Sequence, residues 1–148
     1  MRKSLFTAIL FLAMTHHGPQ ARADERTLVA MPEPMQAHML ANMRGHLRAL
    51  DEMLNHLAAG DVDSAGAVAE KQLGLGSLDD HGAAHLAGFM PPQMQAFGTE
   101  MHMAASRFAQ VVQDADVEQT FAAQKKVFAA LQDITAQCNA CHASFRIR

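Results

Sequence analysis

Apolar residues along the chain recur at spacings of three and four, and no stretch alternates for long with a period of two. That pattern predicts helices rather than strands. A first helix is expected from about Met35 to Ala59, after Pro32-Glu33-Pro34, with Gly60-Asp61 as its cap and turn. Its apolar stripe reads Met35, Met39, Met43, Leu47, Leu50, Leu54 and Leu57. A shorter helix is expected from about Asp63 to Leu73, stopped by Gly74 and Gly76. Residues 74–90 carry four glycines and two histidines and are the least regular part, with a short helix expected near Ala83 to Leu86. Pro91 and Pro92 suit the first turn of a third helix, which would run to about Gln113. Met90, Met94, Phe97, Met101, Ala104, Phe108 and Val111 form its seam. Asp116, with Gln119 three residues on, is the expected cap of a fourth helix. Its inward frame would be Phe121, Phe128, Leu131, Thr135, Cys138, His142 and Phe145. Short turns between the first and second, and between the third and fourth, predict an all-α antiparallel four-helix bundle.

The start of the chain departs from this pattern. Arg2 and Lys3 precede a mostly apolar run from Ser4 to Thr15, and Ala21-Arg22-Ala23 fits a small-residue cleavage triplet. The run is shorter than the roughly 20 apolar residues a bilayer span needs, and His16-His17-Gly18-Pro19 ends it. Residues 1–23 therefore read as a cleaved export signal, and 24–148 as one domain located in the periplasm without a membrane anchor. Cleavage removes Arg2, Lys3 and Arg22, leaving nine basic against fifteen acidic residues and hence a formal charge of −6. An acidic surface argues against nucleic acid and favours encounter with a basic patch on a protein partner. The mature part has no Trp or Tyr but keeps nine Met and seven His.

The chemistry concentrates in the tail, CNACHASFRIR, which holds both cysteines of the chain. On a helix, Cys138, Cys141 and His142 stand at i, i+3 and i+4 and share one face. C-x-x-C-H is the attachment signature for c-type haem. Two thiols reach the two vinyl groups of one porphyrin edge, and the adjoining imidazole supplies an axial nitrogen. Three other readings compete. A disulfide suits an oxidising compartment. A redox dithiol belongs at a helix N-terminus, whereas this pair is near a C-terminus. A structural zinc site needs four ligands in a tetrahedron, which adjacent Cys141 and His142 serve badly.

A helical plan over residues 35–148 with Cys138-x-x-Cys141-His142-x-x-Phe145-Arg146 on its last helix resembles the cytochrome c′ family. The resemblance implies one haem c inside the bundle, linked through Cys138 and Cys141, with His142 proximal and Arg146 beside the exposed edge of that histidine. It implies a distal residue on the first helix. Met43, seventeen residues before Gly60, stands closest to that place, then Met39, then His46. One turn before it, where the family carries a basic residue, this chain has Met39. A methionine on the iron implies an electron carrier serving redox partner proteins, and no enzyme. A vacant distal face implies a five-coordinate haem that binds nitric oxide or carbon monoxide. Homodimers in this family use the first two helices. A haem-free copper or zinc carrier is the third reading. His81 and His85 stand four apart in the glycine-rich loop, suited to a metal or the haem edge. Met101-His102-Met103 looks copper-like when read linearly, but on a helix only Met101 is expected inward.

Overall fold

The computed structural model describes residues 24–148. The expected export signal and its cleavage triplet lie outside the described residues. Among the described residues no helix is long and apolar enough to cross a membrane. The architecture is all-α, with helices α1 (Glu33–Ala59), α2 (Val62–Gln72), α3 (Ala83–Ala87), α4 (Pro92–Glu118) and α5 (Phe121–Ser144). A single turn of 3₁₀ helix, Leu75–Ser77, follows α2.

The helix ends follow from local chemistry. Pro32 and Pro91 precede α1 and α4 in extended conformation, and each helix opens with a proline in its first turn, where no amide donor is required. Asp61 caps α2 by accepting from the Ser64 amide. The fourth long helix starts later than expected. Asp116 lies inside α4, which runs through to Glu118 because residues 113–118 contain no breaker. Gln119 ends α4 in the left-handed conformation, and the Thr120 hydroxyl caps α5 by accepting from the Ala123 amide at 3.0 Å. Two residues thus complete the turn.

The pure helical expectation missed one element. Thr27–Leu28 (β1) pairs in parallel with Phe145–Arg146 (β2), and the Val29 amide reaches the Arg146 carbonyl at 2.8 Å. The first described residues thereby strap the chain end that follows Cys141 and His142.

Neighbouring helices form a series: α1 on α2, α2 on α4, and α4 on α5. The main core joins Ala49, Met53, Ala65, Ala69, Leu73, Phe108, Val112 and Ile134, all almost fully buried. Gly66 makes this possible, since a Cβ there would stand 2.6 Å from the Val112 methyl. A second cluster gathers Met31, Met39, Leu86, Met94 and Phe145 toward the other end.

Two expected stripes are corrected. On α1 the buried positions are Met39, Ala49 and Met53, while Leu47 is 69% and Leu54 49% exposed. The short α2 accompanies only part of α1, so the helix turns different faces to different neighbours along its length. On α5 the buried face runs through Ala123, Val127 and Ile134, leaving Phe121 and Phe128 78% and 62% exposed. Phe128 stands about 100° round the helix from Val127, and the contact with α4 is set by the latter.

Candidate functional site

Because α2 has only 11 residues, the first half of α1 has no long helix beside it. The segment from Gly74 to Pro91 covers that end instead. Between the first half of α1, the last turns of α5 and the start of α4 lies a cleft of about 290 Å³. This is at the small end of the roughly 300–1,000 Å³ usual for ligand sites. Its walls are predominantly apolar, including Leu50, Leu86, Met90, Phe97 and Met101. The exposed residues Leu47 and His142 mark its mouth.

Cys138, Cys141 and His142 all line this cleft. Both cysteines are half-buried and free. Burial pushes both thiols up, and Cys141 is raised further by the neighbouring Cys138. Protonated, shielded thiols of this kind do not have the lowered pKa of a redox dithiol. Neither cysteine belongs to the group of metal-capable side chains that converge among the described residues. The donor set and its setting fit a covalently held haem: two thiols three residues apart, an imidazole beside the second, and one apolar cleft receiving all three.

The distal candidates also face the cleft. Met39, Met43 and His46 each contribute to its lining from α1. Met39 is only 5% exposed and wedged into the second cluster. Met43 is half-buried at the edge of that cluster. Arg146, by contrast, is not among the cleft-lining residues. It follows the end of α5 in β2, and its Nε lies 3.6 Å from Asp24, an ion pair too long for a hydrogen bond. Arg26 instead reaches the His142 carbonyl with Nη1 at 3.3 Å.

One convergence had no counterpart in linear spacing. His46 from α1, His81 from the loop and His102 from α4 bring ring nitrogens within 4.8 Å of one another. His102 was expected partly outward but is 7% exposed. Its Nδ1–H donates to the Leu73 carbonyl at 2.7 Å, which turns the ring inward. His81 is held by its own backbone: its carbonyl accepts from His38 Nε2 at 2.7 Å and from Asn42 Nδ2 at 2.8 Å. The next residue, Gly82, has φ +61, and a Cβ there would stand 3.0 Å from His38 Nε2. Burial, then the repulsion that a protonated His46 would meet from protonated His81, His102 and His142, holds His46 down at about 4. Burial also lowers His81 and His102. In all three imidazoles burial thus favours the neutral form. His85, the partner expected for His81, is exposed and takes no part.

No family model, curated protein or solved structure matches the chain.

Proposed function

We propose that residues 24–148 form an antiparallel four-helix bundle of the cytochrome c′ type, built from α1, α2, α4 and α5. In this reading the protein is a periplasmic monohaem c-type cytochrome that carries electrons. The observation that carries the reading is the lining of one apolar cleft by Cys138, Cys141 and His142 together.

Cys138 and Cys141 would hold a haem covalently through their thiols, and His142 would supply an imidazole nitrogen to its iron. When bound, the haem supplies one-electron cycling between Fe(II) and Fe(III). Met43 would offer its thioether sulfur to the iron, a soft ligand suited to haem. It is preferred to Met39, whose side chain is committed to the second cluster, and to His46, whose ring turns toward two other histidines. Leu50, Leu86 and Phe97 exclude water from the cleft and keep its geometry fixed between oxidation states. The acidic surface steers encounter with a redox partner bearing a basic patch. Periplasmic location rests on the export signal in residues 1–23.

Absorption spectra of the purified protein in both oxidation states test this reading. Expected is a low-spin spectrum with the sulfur-to-iron band in the ferric state, and loss of that band in Met43→Ala. A high-spin spectrum with avid carbon monoxide binding would instead assign the five-coordinate gas-binding function. An unchanged spectrum in Met43→Ala would transfer the distal role to Met39 or His46.

A further inference from the structure

A core histidine that merely fills space satisfies both ring nitrogens or reaches solvent. Of the three gathered at the cleft, His46 breaks that rule. His46 Nε2 is buried and has no hydrogen-bond partner. His102 spends Nδ1 on the Leu73 carbonyl, which fixes the proton there and leaves Nε2 as a lone pair. His81 Nδ1 faces the Ser77 hydroxyl at 3.4 Å, and that hydroxyl itself donates to the Gly74 carbonyl. Each ring stands close to the other two, with centroids 4.8, 5.4 and 5.9 Å apart. No carboxylate belongs to the group.

Imidazoles held from behind by a backbone carbonyl or hydroxyl, with their other nitrogens converging, are the arrangement in which histidines ligate transition metals. We propose that His46, His81 and His102 bind one divalent transition-metal ion of the kind imidazoles prefer, zinc foremost. Zinc sits about 2.0–2.1 Å from each nitrogen, so tetrahedral ligands are about 3.3 Å apart. The observed separations, within 4.8 Å, close to that value by side-chain rotation, since the three residues come from three independent elements. Three histidine ligands leave a fourth position for water or an anion entering from the cleft. These three ligands line the same cleft as Cys138, Cys141 and His142 but form a donor set distinct from them.

The test uses the mature protein as purified, stripped of loosely bound metal with a chelator. Zinc chloride is titrated in by calorimetry, and zinc, iron and haem are counted on the same sample. Expected is one zinc per chain with a Kd of micromolar or below. His46→Ala, His81→Ala and His102→Ala each weaken it at least tenfold, and His85→Ala leaves it unchanged. His81 is half-buried on a loop, so His81→Ala serves as the decisive variant if His102→Ala fails to show native circular dichroism. Absence of saturable zinc binding, or binding undiminished in His81→Ala, overturns the proposal. Counting haem separately keeps the two readings apart. A haem-bearing sample without zinc sinks only this site, and a haem-free sample that binds zinc sinks only the cytochrome.

Discussion

Around α2 the helices meet through alanines and one glycine, with Ala49, Ala65, Ala69, Ala104 and Ala105 almost fully buried and Gly66 against Val112. Around the cleft the same helices α1 and α4 carry methionines and histidines, and a loop with one short helix takes the place of a long partner. Small side chains let backbones approach closely and give dense contacts that tolerate little change of volume. Methionines and a loop leave room, and imidazoles need a reason to be there. One end of the molecule is thus closed by dense packing, and the other leaves an apolar cleft lined by methionines, histidines and both cysteines.

The largest effect belongs to the cleft end. On the proposed reading, replacing both thiols, Cys138→Ala with Cys141→Ala, abolishes covalent haem entirely while leaving the α2 end folded. Far-UV circular dichroism beside the visible spectrum checks both halves of that statement. At the packed end, Phe108→Ala removes a ring that is fully buried and costs about 3–5 kcal/mol, measured by urea unfolding. A single substitution made at both ends then sharpens the contrast. Gly66→Ala places its Cβ 2.6 Å from the Val112 methyl and 3.3 Å from the Ala109 carbonyl, destabilising by about 1–3 kcal/mol. Gly98→Ala, on the cleft-lining part of α4, meets nothing within 4 Å. In the haem-free double cysteine variant it stabilises by about 0.4–1 kcal/mol through reduced freedom of the unfolded chain. Equal signs for the two would erase the distinction.

The smallest effect concerns the strap. Asp24 is held at about 2 chiefly by hydrogen bonds from Arg26, with Arg146 adding a weaker attraction. A carboxyl depressed in the folded state stabilises above its ordinary range and loses that contribution as pH falls through its folded value. The strap therefore persists at pH 4 and loosens only as pH approaches 2. Hydrogen exchange at the Val29 amide, which bonds to Arg146, reads this directly. Loosening already complete near pH 4 would exclude the Asp24 pairing as its cause.

Helical class, the two proline-led helix starts and the glycine turn at Gly60 were legible because each depends on local backbone chemistry. So was the shared face of Cys138, Cys141 and His142, which follows from helix geometry alone. The start of the last helix was misplaced because Asp116 and Thr120 are both good caps, and only the continuation of α4 chooses between them. The exposure of Leu47 and Phe128 reflects which neighbour each helix meets, a tertiary fact absent from heptad counting. His46, His81 and His102 lie far apart in the chain and follow no ligand spacing. Only the loop pinned by His38 and Asn42 brings them together. The two-residue β pairing is too short to leave an alternating pattern.

Intact-mass spectrometry of the exported chain, with and without thiol alkylation, addresses the central claim most directly. The account predicts a chain starting at Asp24, heavier by one haem, with neither Cys138 nor Cys141 open to alkylation. A chain of bare polypeptide mass that takes up two alkyl groups would contradict it.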